Sequence, residues 1–217
     1  MIVTIDGPAG AGKSSAARAL AQRLGFRFLD TGALYRAVTL AAKRDGVDWQ
    51  SPDQLLKVAC SISVDLTDNS VLLNGEDVTK ELRSLEITTL TRHAADHVGV
   101  RQKLTGWQRQ LAEGSHCVTE GRDQATEVFP DAQCKVFLTA SEGVRAERRF
   151  NDLIARGEQV TREEVLEKQR ARDARDTERG VGGLHKTPDS IEISTDGLTQ
   201  DEVVDVLEGL VKERLPG

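Results

Sequence analysis

Eight consecutive residues, Gly7-Pro8-Ala9-Gly10-Ala11-Gly12-Lys13-Ser14, fit the spacing GxxxxGK(S/T). Glycines in such a loop let backbone N–H groups point at phosphate oxygens with no side chain in the way. A following helix adds the positive end of its dipole. Lys13 supplies a point charge for the β and γ phosphates, and the Ser14 hydroxyl is placed to ligate Mg²⁺. The chemistry is that of nucleoside triphosphate binding. Gly7, Pro8, Ala9, Gly10, Ala11, Gly12, Lys13, Ser14 and Ser15 would surround the phosphates. A chance glycine-rich turn is the plain alternative. The flanks disfavour it, because Ile2 to Ile5 reads as a strand and Ser14 to Leu24 as a helix.

Three other polar clusters could serve a second substrate. Asp30-Thr31-Gly32-Ala33-Leu34-Tyr35-Arg36 follows a second strand-like run, at the sheet edge where α/β proteins hold ligands. Thr31 and Arg36 could hold an acceptor phosphate there, or the segment is an ordinary capped helix. In Glu120-Gly121-Arg122-Asp123, Arg122 could bind a phosphate in bidentate fashion and Asp123 could accept from a base or sugar. The alternative is a polar turn. Arg172, Arg175, Asp176 and Arg179 share one helix face by their spacing of three or four. They read either as a solvated, ion-paired helix or as a lid whose arginines cover the transferring phosphoryl group. His93 and His97 are four apart, yet no further ligand joins them, so a surface helix is the simpler reading.

The elements that must position these groups alternate. Strands are expected at Ile2 to Ile5, Phe26 to Leu29, His116 to Thr119, Lys135 to Thr139 and Ile191 to Ile193. Helices are expected after most of them, ending with an amphipathic one carrying Val203, Leu207, Leu210 and Val211. Gly25 stops the first helix, and Asp30 or Thr31 caps the second. Such alternation implies a parallel sheet with helices on both faces. Residues 45 to 75 break the pattern and read as a hairpin-like insert with turns at Asp68-Asn69 and Asn74-Gly75. A charged helical stretch over 141 to 178, broken near Gly157, is a second interruption.

The 217 residues suit one domain, and the chain is acidic, with 29 Lys+Arg against 35 Asp+Glu. With aromatics at 4%, this composition disfavours nucleic-acid and membrane surfaces as partners. Three cysteines without CxxC spacing argue against disulfides and structural zinc and for a reducing cytoplasm. The start, Met1-Ile2-Val3-Thr4-Ile5-Asp6, lacks the pattern of a signal peptide. A switch GTPase would carry NKxD, which is absent. A remodelling ATPase usually has much more chain. A small phosphotransferase fits better than either, and than a nucleotide-binding regulator that does not turn over.

The ordered set IDGPAGAGKSS, LDTGALYRA, LNGEDVT, EGRD with VFPDA, VFLTAS and RDARDTER resembles the bacterial cytidylate kinases over nearly the whole chain. The phosphate loop alone is generic, but the set is specific. The resemblance implies a P-loop NTPase-type α/β fold with a monophosphate-binding insert and a helical lid. The core would span 1–44, 98–147 and 181–217, the insert about 45–97, and the lid about 148–180. It implies transfer of the γ-phosphoryl of ATP, with Mg²⁺, to CMP and dCMP, by a monomer. A related kinase with another acceptor is the alternative, although Arg36 and Arg122 favour a phosphorylated acceptor. By resemblance, Thr31, Arg36 and Arg122 lie near the acceptor phosphate. Arg101 and Asp123 read the cytosine edge, and Arg172 and Asp176 meet the ribose. Lys13, Arg122, Arg175 and Arg179 act on the transferring phosphoryl group. The chain departs from the family near Arg92, where a serine that helps recognise the cytosine amino group is usual and Thr91 could take over if the register shifts by one, at Gln124-Ala125-Thr126, and at Gly180-Val181-Gly182-Gly183.

Overall fold

A computed structural model describes residues 1–67, 70–155 and 157–215. In chain order the elements are β1 Ile2–Asp6, α1 Lys13–Leu24, β2 Arg27–Asp30, α2 Thr31–Arg44, α3 Pro52–Ser61, β3 Val64–Leu66, β4 Val71–Leu73 and β5 Glu76–Asp77. They continue with α4 Leu85–Asp96, α5 Val98–Ala112, β6 Cys117–Gly121, β7 Cys134–Thr139, α6 Glu142–Ala155, α7 Arg162–Glu178, β8 Ile191–Ser194 and α8 Gln200–Lys212. A π-type turn covers Gln124–Val128. Two compact units are present, Met1–Phe28 with Ser115–Gly217, and Leu29–Gly114.

The first unit is built on a five-stranded sheet of order β2-β6-β1-β7-β8. The central strand β1 runs parallel to both neighbours, with Val3 opposite Val118 and Cys134, and Asp6 opposite Gly121 and Phe137. Val3, Ile5, Val118, Val136 and Leu138 are fully buried, as expected of parallel strands covered on both faces. Leu20 and Ala17 of α1 and Val204, Leu207 and Val211 of α8 join them in one core. Because the strands are parallel, the ends of β1, β6 and β7 open their loops at one sheet edge. That edge carries residues 7–12, 122–123 and 140–141. Capping boxes start α7 at Thr161 with Glu164 and α8 at Thr199 with Glu202, satisfying otherwise orphaned N–H groups.

The second unit surrounds a core of Leu34, Val38, Leu55, Val58, Leu73, Leu82, Ile87, Val100 and Leu104. Asp30 caps α2 by accepting from the Ala33 N–H at 2.9 Å, one of the two alternatives the sequence left open. Residues 45 to 75 are more than a hairpin. Pro52–Ser61 is helical, with proline in the first turn and Leu55, Val58 and Ala59 buried. The expected strands form as β3 and β4, and β5 extends them into a three-stranded antiparallel sheet. Asn74-Gly75 makes the β4–β5 turn, with φ of 51° and 85°. The Asp68-Asn69 turn lies outside the described residues. Elsewhere the expected elements are present, most with ends shifted by a residue or two.

No described helix is long and apolar enough to cross a membrane. Cys117 and Cys134 are fully buried, as their apolar surroundings in the sequence suggested, and burial pushes the Cys117 thiol up to about 11. Cys60 is exposed. An aromatic disulfide reagent should therefore titrate one thiol rapidly in the native protein and all three after denaturation. Rapid reaction of a second thiol in the native protein would contradict this packing.

Candidate functional site

The phosphate-loop residues sit between β1 and α1 with φ of +148° at Gly7, +81° at Gly10 and +86° at Gly12. A Cβ on Gly7 would lie 1.9 Å from the Leu138 carbonyl oxygen, so only glycine fits against β7. Four successive loop carbonyls each accept from a side chain. Lys13 Nζ donates to Pro8 O at 2.8 Å and Arg145 Nη1 to Ala9 O at 3.0 Å. Arg148 Nη1 lies 3.5 Å from Gly10 O, and Thr195 Oγ1 donates to Ala11 O at 3.3 Å. A trans peptide places C=O and N–H on opposite sides. Holding the Ala9 and Ala11 carbonyls on Arg145 and Thr195 turns the amides of Gly10 and Gly12 to the opposite side, where an anion can meet them.

Lys13 is 5% exposed. Burial, and then the like charge of Arg122, lower its ammonium to about 7, while Glu120 and Asp6 oppose the shift. Ser14 Oγ donates to Glu120 Oε1 at 2.9 Å. A hydroxyl and a carboxylate are hard oxygen ligands of the kind Mg²⁺ takes alongside water and substrate phosphates. Among the described residues no group of three or more His, Cys, Asp or Glu is arranged for a metal. The pair therefore fits a shared ion and not an all-protein cage.

Asp6, at the end of β1, is 1% exposed. Its two oxygens accept from the Gln124 and Ala125 N–H groups at 3.0 and 2.8 Å. Burial pushes its carboxyl up to about 6 against those two hydrogen bonds. The contact fixes the turn that follows Arg122 and Asp123 onto the strand that enters the phosphate loop.

Asp176 of α7 gathers arginines. Arg122 Nε donates to its Oδ2 at 2.9 Å and Arg179 Nη2 to its Oδ1 at 3.0 Å, while Arg172 Nε stands 3.9 Å away. Burial acts to raise the Asp176 carboxyl, but Arg122 and Arg172 outweigh it and hold the group below the usual carboxylate range. The Arg172 guanidinium is lowered to about 10, first by the protein crowded around its charged end and then by the like charge of Arg122; 52% of the side chain still meets water, and it stays cationic at neutral pH. Arg175 stands apart, exposed, with Nε donating to Ala171 O in its own helix. Asp123 is 6% exposed.

The second unit holds the other expected residues. Thr31 is buried in the first turn of α2, and Arg36 Nη2 pairs with Asp30 at 3.3 Å. Arg101 is buried, donates to Ala95 O at 2.9 Å, and places its guanidinium 5.5 Å from the Tyr35 ring centre. Arg92 lines a cavity of about 260 Å³ with Trp49, His93, Asp96 and His97. His97 caps α5 by accepting from the Val100 N–H at 3.2 Å. Asp6, Arg145, Arg148 and Thr195 were not among the site residues expected from sequence, and Glu120 was read only as part of a turn.

A parallel sheet with helices around it, and a glycine-rich loop running from the central strand into a helix, define the class of P-loop kinases. Shikimate kinase from Bacteroides thetaiotaomicron shares this fold, with a TM-score of 0.51 at 14% identity over 98% of each chain. An uncharacterised protein from Eubacterium ventriosum does so at 0.54 and 14% over 99% of each. Within that class the chain belongs to the cytidylate kinase family, whose profile matches residues 3–213. It is 46% identical to a cytidylate kinase of Rhodopirellula baltica, over 98% of this chain and 93% of that protein. A cytidylate kinase of Geobacter sp. is 42% identical over 99% and 94%. A bifunctional pantoate ligase/cytidylate kinase of a Synechococcus strain is 43% identical over 99% of this chain, which spans 41% of that longer protein.

The raised carboxyl of Asp6 has a measurable sign. Folding lifts its pKa from 3.8 to about 6, so the native state binds more protons between those values. The group therefore costs stability above pH 6, and the cost is relieved as pH falls toward 3.8. Asp6→Asn removes this titration. In denaturant unfolding, the stability gap between parent and variant should move by about 2 kcal/mol in favour of the parent from pH 7.5 to pH 4.5. A constant gap would contradict a buried, raised Asp6.

Proposed function

We propose that this protein transfers the γ-phosphoryl group of ATP to CMP and dCMP, giving ADP and the cytidine diphosphate. The observation that carries this reading is the placement of Arg122, at the end of β6, on the sheet edge that also bears the phosphate loop. Family membership makes the acceptor a cytidine monophosphate. In this reading Lys13 and the amides of Gly10 and Gly12 hold the donor phosphates. Ser14 and Glu120 would hold Mg²⁺ directly or through water; the ion, when bound, screens charge on the β and γ phosphates.

An oxygen of the acceptor phosphate attacks the γ phosphorus, and the bond to the β–γ bridging oxygen breaks. No proton needs to move, because a monophosphate oxygen is already an anion at neutral pH, so no general base is assigned. Positioning and positive charge carry the reaction. Thr31, Arg36 and Arg122 take the acceptor phosphate, Arg101 and Asp123 the cytosine edge, and Arg172 and Asp176 the ribose. Arg175 and Arg179 face the transferring group once the lid, about 148–180, excludes water over it. Residues of about 45–97 serve as the monophosphate-binding insert. Acidic charge and cysteine usage support a cytoplasmic protein acting on small nucleotides and not on nucleic acid or membrane. The family resemblance supports a monomer.

The test is coupled ADP release with ATP, Mg²⁺ and CMP, dCMP, UMP, AMP, GMP or no acceptor. ADP should appear mainly with CMP and dCMP. Equal rates with UMP would overturn the base selectivity, and an idle protein across the panel would overturn the acceptor class. Lys13→Ala should lower kcat/KM by about 10² or more while the native fold is retained by circular dichroism.

A further inference from the structure

We propose that Arg145 is a positioning residue for the transfer, fixing the phosphate loop through Ala9 and, through Asp173, the place of the lid helix α7. The role in transfer rests on the kinase reading above; the role in shaping the loop does not.

Arg145 lies in the first turns of α6 and is 7% exposed. Its guanidinium meets three separate elements. Nε donates to Ala140 O at the end of β7 at 3.0 Å. Nη1 donates to Ala9 O in the phosphate loop at 3.0 Å and to Asp173 Oδ2 in α7 at 2.5 Å. Gly10 packs on the same residue, where a Cβ would stand 3.0 Å from Arg145 Cβ. Three residues along the same face of α6, Arg148 bridges the Thr195 hydroxyl and carbonyl, both at 2.9 Å. The planar fork of Arg145 offers donors at fixed angles to three acceptors, which one lysine ammonium cannot match.

Asp173 is the other half of the link. Arg145 is its ion-pair partner, and its Oδ1 is buried with no hydrogen-bond partner among the described residues. The carboxylate's place is thus set by Arg145. Asp173 sits one position from Arg172 and three from Asp176, so a shift of its helix turn displaces Arg172, Asp176 and Arg179 together. Displacement of about 1 Å in such groups costs on the order of 10²-fold in rate.

The test is a double-mutant cycle of Arg145→Lys and Asp173→Asn, with two readouts. Binding of a non-hydrolysable ATP analogue with Mg²⁺ needs no acceptor, and kcat for CMP reports the transfer. Arg145→Lys should weaken analogue binding about tenfold or more and lower kcat. Asp173→Asn should lower kcat about tenfold or more while analogue binding stays within about threefold. The double variant should match Arg145→Lys within about threefold, because the coupled effects do not multiply. If Arg145→Lys does not fold, Arg145→Gln, which keeps one donor group, takes its place. A merely structural ion pair would lower the unfolding midpoint and leave both kinetic readouts within twofold; that result, or effects that multiply, would overturn the proposal. A parent protein that binds the analogue but is idle with every acceptor would count against the acceptor assignment and leave the binding arm of the cycle to decide the loop-shaping role.

Discussion

Every carbonyl from Pro8 to Ala11 meets a side-chain donor, and the shape of the phosphate loop depends on that row of contacts. A loop with three glycines has little conformational preference of its own. Its geometry comes from outside, from Lys13 one turn ahead, Arg145 and Arg148 on α6, and Thr195 after β8. Those donors are held in turn by the sheet, since β7 leads into α6 and β8 delivers Thr195 beside the loop. The five-stranded sheet is therefore the frame of the loop as well as its neighbour.

Charge is arranged around the same frame. Arg122, Arg172 and Arg179 face the single carboxylate of Asp176, and Arg145 faces Asp173. Lys13 is held near its titration point by burial and by Arg122. Such a cluster is poised for anions. A phosphate can take over Arg122 and Arg179 from the aspartate at little desolvation cost, because those two cations are already largely withdrawn from water. Buried Asp6 gives the arrangement its floor by tying the Gln124–Val128 turn to β1.

The phosphate loop, the alternation of strand and helix, and the position of most elements were legible in local sequence, because each has a short-range signature. Gly7 to Ser14 is one such pattern, and the charged stretch that becomes α6 and α7 is another. Helix α3 was missed although Pro52 marked its start and Leu55, Val58 and Ala59 keep helical spacing, because the strand-like runs and turns that follow it drew the whole segment into a hairpin. The braces of the loop were not legible for a different reason. Arg145, Arg148 and Thr195 lie 136 to 184 residues from the carbonyls they hold, and nothing in an arginine-rich helix says which arginine turns inward. Glu120 was visible as part of a turn; its bond to Ser14 required knowing that β6 lies beside β1.

The braced loop stands ready for an anion, and the ligand's own charge completes it. Calorimetric titration of the ATP analogue with Mg²⁺ at pH 8, in buffers of different ionisation enthalpy, tests it most directly. With Lys13 near 7 before binding, close to one proton should be taken up per nucleotide, and Lys13→Ala should abolish most of that uptake. Binding with no net proton uptake in the parent protein would show that Lys13 is already an ammonium before the nucleotide arrives, against a lowered, buried Lys13.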